Sequence, residues 1–433
     1  ALLQAFYARW LESAGRGLVA VTLFFTNGGT GFLLWLQDVR QGGLGFPARE
    51  YTWLPERHIE WINVVSSELL PQRGLLLGLP LALAVLLVLL RWRDAGFAGA
   101  SRLRLAGLGL GASLLLLTHA HSFLALAWIC AWLLLFDLRH ARAWLGFALA
   151  TAAPAALWAW LCYGGVASRG FVSWLPGWLA NPDGPHPMPV WRFLWLNWGV
   201  FVPLAAVAVL RLRGARQPGL REPLVWAGVT LFGACMLVRF QPNAWDNTKL
   251  FTWAHLLLAA PVAAYLATLW QRRGVLGPAL ALLLFAFASA SGFLELWRIG
   301  GGERVAVRMW SREEIALADA FRDLAPPDAL VLCSDHHHHW VAPLAGRRVL
   351  LGYRGWLASY GVDTAALEDD VARMLQRGDR ALLERYGVDF VVIGATERES
   401  FAARESAFRG RWPLVLEGAG HRVYDVRAPG GSP

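Results

Sequence analysis

LAGLGLGASLLLLTHAHSFLALAWICAWLLLF, residues Leu105–Phe136, is the stretch on which the fold turns. A helix rising ~1.5 Å per residue crosses a ~30 Å hydrocarbon core in about 20 residues. Leu105–Phe136 is far longer than that, and THAHS at Thr118–Ser122 interrupts it with polar side chains. The expectation is a hairpin of two short helices that turns at THAHS. Because a hairpin adds two crossings, it decides on which side of a bilayer every later link falls.

Working outward, apolar blocks of spanning or near-spanning length lie at Gly17–Leu36, Gly74–Leu90, Trp144–Cys162, Leu194–Leu210, Leu224–Val238, Leu250–Trp270 and Val275–Leu296. With the hairpin they make about nine crossings. The chain of 433 residues is 56% hydrophobic and 16% charged, and its mean hydropathy is +0.41. This composition excludes a disordered or fibrous protein and points to a polytopic α-helical membrane protein. The formal charge of +9 is almost all arginine, Lys249 being the one lysine, which suggests a GC-rich prokaryotic genome.

The arginines provide a test of topology, since positive charge concentrates in cytoplasmic links. With Arg16 inside, the arginine-rich links at 91–104, 137–143, 211–222 (Arg211, Arg213, Arg216) and 271–274 all fall inside. Links 37–73, THAHS, 163–193, 239–249 and the tail fall outside. That places the protein in a cytoplasmic membrane with its carboxyl-terminal domain outside. Arginines spread over short links do not form the basic patch that nucleic-acid binding requires. Cys130, Cys162, Cys235 and Cys333 make no disulfide framework. The chain opens on Ala1 without a Met or a charged-then-apolar leader, so the expectation is a fragment with further helices upstream.

Residues 1–300 form the membrane domain, and 301–433 turn charged and alternating. Ser311 with Glu314 reads as a capping box opening a helix to Leu324. Short β-rich runs follow at Ala329–Cys333, Arg348–Gly352, Asp389–Gly394, Pro413–Glu417 and Arg422–Val426, with helical stretches near Ala365–Arg377 and Ala381–Tyr386. This is a small α/β domain.

Chemistry concentrates in the outside links. His119 and His121 of THAHS are candidate ligands for a metal or contacts for a phosphate, or else caps for two short helices. In QPNAWDNTK, Gln241–Lys249, Asp246 offers a carboxylate for base or metal work, Asn247 an amide, Lys249 a cation for phosphate and Trp245 an aromatic face for a sugar. An interfacial turn with an aromatic anchor is the plainer alternative. His119, His121 and Asp246 together are the candidate ligands for a divalent ion such as Mg, Mn or Zn. SDHHHHW, Ser334–Trp340, offers Asp335 and four histidines, of which at most two can share an ion. Link 37–73 holds Asp38, His58 and Glu60 among Tyr51, Trp53 and Trp61, and reads first as an amphipathic segment in the membrane surface. There, ELLPQR places Arg73 where an anionic headgroup would sit. No phosphate loop, dinucleotide fingerprint, G-x-S-x-G or C-x-x-C occurs, so no nucleotide cofactor is expected.

FFTNGGTGFLLWLQD, LLPQRGLLLGLPLAL, LLLLTHAHSFLALA, FQPNAWDNTKLF, LAGRRVLLGYRGWLASYG and YGVDFVVIGATERESF, in that order, resemble a family of multi-spanning bacterial and archaeal proteins similar to the GT-C class of integral-membrane glycosyltransferases. The resemblance covers nearly the whole chain. It implies transfer of a sugar from a polyprenyl-phosphate carrier to a glycan, lipid or protein acceptor at the outer membrane face. In that class an acidic residue of the first outer loop usually serves as base or metal ligand. That loop belongs upstream of Ala1, so no catalytic base is assigned. The expected substrate-binding set is His119, His121, Trp245, Asp246, Asn247, Lys249 and Arg73. A transporter or flippase of lipid-linked glycan would instead need polar residues along a path through the spans, where only Asn27 and Asn197 stand out. A non-catalytic scaffold would have a filled, dry bundle.

Overall fold

The computed structural model describes residues 1–43, 45–47, 49–163, 172–214 and 222–427. Arg216 and part of link 163–193 lie outside the described residues, as do the side chains of 212–214. The chain forms two compact units, the first running to Val305 and the second starting at Ala306.

The first unit is helical. Its order is α1 (Leu2–Leu11), α2 (Ala14–Phe25), α3 (Gly31–Arg40), a π-turn at Val64–Leu69, α4 (Arg73–Asp94), α5 (Arg102–Ser113), α6 (Leu115–Thr118), α7 (Ala120–Leu135), α8 (Ala141–Tyr163), the short strand β1 (Ser173–Trp174), α9 (Val190–Trp198), α10 (Phe201–Gly214), α11 (Glu222–Leu237), β2 (Val238–Arg239), α12 (Thr248–Trp270) and α13 (Leu276–Ile299). Among the described residues four helices are long and apolar enough to cross a membrane, or five if the bent pair α9–α10 counts as one span. The nine full crossings expected are thus not all continuous helices. The Gly17–Leu36 block breaks at Thr26–Thr30 into α2 and α3, and α9 meets α10 at 96°.

Two asparagines at these breaks hold the link 37–73. Asn27 accepts from Val64 N–H at 2.9 Å and donates to the Ile62 carbonyl at 2.7 Å. Asn197 accepts from the N–H groups of Glu60 (2.7 Å) and Trp61 (2.9 Å) and donates to the carbonyls of His58 and Phe193. Backbone inside an apolar bundle must find partners, and these amides supply them to the irregular chain at 58–64. The same amides overturn the amphipathic surface segment expected in link 37–73. The chain there is an irregular loop drawn inward, with Tyr51 and Trp61 buried and Trp61 stacked on Trp198 at 4.8 Å.

Beyond its first two turns α12 is apolar on every side, and 89% of its spanning window is buried, against 17% for the span containing α8. A helix without a polar face belongs at the centre of a bundle, and α2, α7, α10, α11 and α13 surround it. The links gather at two ends. At one, Arg9 pairs with Asp94 at 2.8 Å and Arg93 approaches Asp137 at 3.9 Å. At the other, Gly74 abuts Thr118, β1 pairs with β2, His186 pairs with Glu60, and Arg298 reaches Glu50 at 3.7 Å. α7 therefore runs from His119, beside the start of α4, back to Asp137, beside its end. The chain reverses at THAHS.

In the second unit a sheet of order β4-β3-β5-β7-β6 forms from β3 (Leu330–Leu332), β4 (Arg348–Val349), β5 (Phe390–Ile393), β6 (Leu414–Gly418) and β7 (His421–Asp425). β4, β3 and β5 are parallel, and β5, β7 and β6 antiparallel. Strand alternation sends Val331, Phe390, Val392 and Val423 to one face, against α14 (Arg312–Leu324). Leu332, Val391, Ile393 and Tyr424 go to the other, against α16 (Ala365–Arg377) and α17 (Arg380–Tyr386). The capping box of Ser311 and Glu314 opens α14. Two short helices, α15 (Arg354–Ser359) and α18 (Ala395–Phe401), were not foreseen.

Candidate functional site

THAHS and QPNAWDNTK meet. His119 is the N-cap of α7, its Nδ1 2.7 Å from Ser122 Oγ, which also accepts from Trp253 Nε1 of α12 at 3.1 Å. Its other ring nitrogen, Nε2, is buried without a partner. Both roles anticipated for this histidine are therefore open to it: one nitrogen caps, the other is free. A Cβ on Gly78 would lie 2.6 Å from the Cβ of His119, so only glycine lets α4 pack this closely against the turn. The His121 ring lies 5.4 Å from that of His119, within hydrogen-bonding reach of Gln241, and Lys249 faces both imidazoles.

Asp246 and Lys249 come from the turn into α12 and form an ion pair of 3.1 Å, and Gln241 donates to the second oxygen of Asp246. Thr248 Oγ1 is buried without a partner, as is Nε1 of the half-buried Trp245. Asn247 does not join this set. Its amide donates to the carbonyls of Cys235 (2.9 Å) and Val238 (2.8 Å), and its oxygen accepts from Phe240 N–H, so it is spent on closing the turn. Arg73 is exposed on the first turn of α4, its neighbour Gly74 touching Thr118.

One residue of the cluster escaped the sequence argument. Glu68, on the π-turn, is fully buried beside Thr252, Lys249 and Asp246, and neither of its oxygens has a hydrogen-bond partner. Burial pushes its carboxyl up to about 8, against the pull of Thr252 and Lys249, so it holds its proton at neutral pH. A buried polar group left unpaired costs about 1–3 kcal/mol. Glu68, His119 Nε2 and Thr248 Oγ1 concentrate that cost in one place, as a preformed ligand site does.

Among the described residues His119, His121 and Asp246, expected to hold a divalent ion, are not drawn together as a metal cluster here. The Lys249 ammonium already neutralises Asp246. Positive charge here comes from a side chain. An apolar cavity lies farther along α7, its first lining residue, Phe123, one turn on from His119. Half-open and of about 320 Å³, it runs between α7 and α8, lined by Phe123, Leu126, Ala127, Ala131, Phe147 and Ala148.

The histidine run of the second unit splits. Asp335 is bound by Arg354 at 2.6 Å and provides no ligand, and His336–His338 stay in the loop. His339 alone turns inward, 3.0 Å from Glu397 Oε1. Burial would lower the imidazole's pKa, but the Cys333 thiol and Glu397 outweigh it and hold it above its usual range. With His421 these two form a buried His/Glu/His cluster that could hold a metal ion.

Neither a protein-family model nor a curated protein sequence matches the chain. Solved structures of the oligosaccharyltransferase of Archaeoglobus fulgidus are similar to it. One, tethered with an acceptor peptide by a disulfide bond, is 13% identical with a TM-score of 0.45, and the match covers 92% of this chain and 56% of that one. Another, the archaeal enzyme AglB in complex with an inhibitory peptide and a dolichol-phosphate, is 14% identical with a TM-score of 0.43, covering 92% and 57%. The chain thus spans little more than half the length of these neighbours.

Proposed function

We propose that the first unit is a membrane glycosyltransferase that takes its sugar from a polyprenyl-phosphate donor at the outer face of a cytoplasmic membrane, the second unit lying on that outer side. The observation that carries the reading is an unsatisfied polar cluster at the start of α7 with an apolar cavity farther along the same helix. A lipid phosphate has the same two parts: the prenyl chain suits the α7–α8 cavity, and the phosphate suits Lys249, Arg73 and His119.

In the transfer, an acceptor oxygen or nitrogen attacks the anomeric carbon, the bond from that carbon to the phosphate oxygen breaks, polyprenyl phosphate leaves with the electron pair, and the acceptor's proton passes to the departing phosphate or to water. Charge grows on the phosphate as the bond breaks, so a fixed ammonium and a proton-bearing carboxyl beside it lower the barrier. Lys249 and Glu68 fill those roles, with Asp246 holding Lys249 in place. His119 Nε2 and the face of Trp245 orient the sugar, and Gln241 with His121 completes the wall. Asn27 and Asn197, the asparagines that stand out in the apolar blocks, are engaged by backbone groups, which disfavours a transporter reading built on them.

The test uses the full chain in lipid nanodiscs with labelled polyprenyl-phosphate hexoses and an envelope-fraction acceptor. Label should leave the lipid, at least about 100-fold more slowly in Lys249→Met and Glu68→Gln, as expected when a donor to a developing oxyanion is removed. Unchanged transfer in Lys249→Met, or in Asp246→Asn, would count against the roles given.

A further inference from the structure

We propose that the second unit carries a site for one transition-type divalent ion, zinc by preference, bound by His339, Glu397 and His421. The residues are far apart in sequence. His339 follows β3, Glu397 stands in the first turn of α18, and His421 opens β7. They are 7%, 0% and 8% exposed, and one ligand atom from each lies within 4.8 Å of the other two. An ion holding nitrogen and oxygen at ~2.1 Å keeps its ligands roughly 3.4 Å apart, so these side chains need to close by little more than about an ångström.

Glu397 and His421 are already oriented. Glu397 accepts from Ser334 N–H at 2.8 Å on one oxygen and from Gly394 N–H at 2.7 Å on the other, which fixes the carboxylate plane. His421 Nδ1 lies 3.0 Å from the Ala419 carbonyl, and since a carbonyl only accepts, Nδ1 carries the proton and Nε2 presents its lone pair. Backbone carbonyls fix metal-binding histidines in this way. His339 Nε2 is buried and lies 3.0 Å from Glu397 Oε1, the pair between which a bound ion would sit. Gly394 gives the approach its room, because a Cβ there would stand 2.2 Å from the His421 ring.

Two imidazoles and a carboxylate suit zinc, manganese or iron, whereas calcium and magnesium want oxygen alone. The ion would tie the carboxyl end of β3 to α18 and to the start of β7, bridging the parallel and antiparallel halves of the sheet. The ligands come from one unit, so the site does not depend on the transferase reading.

The experiment strips the detergent-purified full chain with chelator and titrates it with cobalt chloride, then zinc chloride. One equivalent of cobalt should give the visible bands of a four-coordinate ion, zinc should displace it, and the melting temperature should rise. His421→Ala and Glu397→Gln should each weaken cobalt binding at least about 10-fold, while the triple replacement of His336, His337 and His338 by Ala should leave it intact. His421→Ala spares the bonds from Ser334 and Gly394 to Glu397, so it decides the matter should Glu397→Gln not fold. Absence of the bands, their persistence in His421→Ala, or their loss only in the triple variant or in Asp246→Asn would overturn the assignment.

Discussion

Glu68 shows what a single residue can hide from sequence. It belongs to ELLPQR, where the eye goes to Arg73, and a glutamate in a polar link reads as solvated. Only the π-turn at Val64–Leu69 rotates it inward, against α12. Its burial makes a prediction with a definite sign. Below the ordinary carboxyl range both folded and unfolded chains hold the proton. As pH rises toward about 8 the unfolded chain releases it and the folded chain does not, so the stability present at low pH drains away. Glu68→Gln removes that dependence. Thermal unfolding near about pH 5 and about pH 8 should show the variant gaining several degrees on the parent at the higher pH, and an equal offset at both would refute the burial effect. Asn197 makes the opposite case. Its type was noticed in a span, yet four backbone partners make it structural. Asn197→Leu strands buried backbone groups and should cost roughly 3 kcal/mol or more by the same measurement.

Among the elements, those with a strong local pattern were legible. The five strands of the second unit and the helices at Arg312–Leu324 and Ala365–Arg377 fall where alternation, periodicity and capping place them. The turn at THAHS was legible too, because polar side chains at membrane depth demand a reason. The break of Gly17–Leu36 into two helices was not, since the backbone it frees is bound by Asn63 and Ser291, distant in sequence, and hydropathy averages over such contacts. The same holds for the second unit's metal candidates, where the conspicuous histidine run contributes only His339 and the partners come from Glu397 and His421. The pair α7–α8 makes a functional prediction. Small side chains at Ala127, Ala131 and Ala148 keep its cavity open. Ala131→Trp should fill it, raising the KM for the lipid-linked donor about 10-fold while leaving the melting temperature within a few degrees. An unchanged KM would remove the cavity from the donor site.

At the scale of the whole membrane unit, charge and contacts sort the links in the same way. Links 37–73, THAHS, 173–193 and 238–249, together with the end of α13, contact one another at one end of the bundle, and the arginine-flanked turns at 91–102 and 137–142 sit at the other. Single cysteines at exposed Asn243 and Arg102, in a cysteine-free background, should react with an impermeant maleimide from opposite sides of sealed vesicles, Asn243 from outside. Reaction of both from one side would undo the topology. The claim beneath all of this is that one end of the bundle binds a lipid phosphate through Lys249 with the chain lying along α7. Its most direct measurement is the affinity of a short polyprenyl phosphate for the full chain in nanodiscs, compared with Lys249→Met and Ala131→Trp. The account predicts saturable binding weakened about 10-fold or more by each change; binding indifferent to both would contradict it.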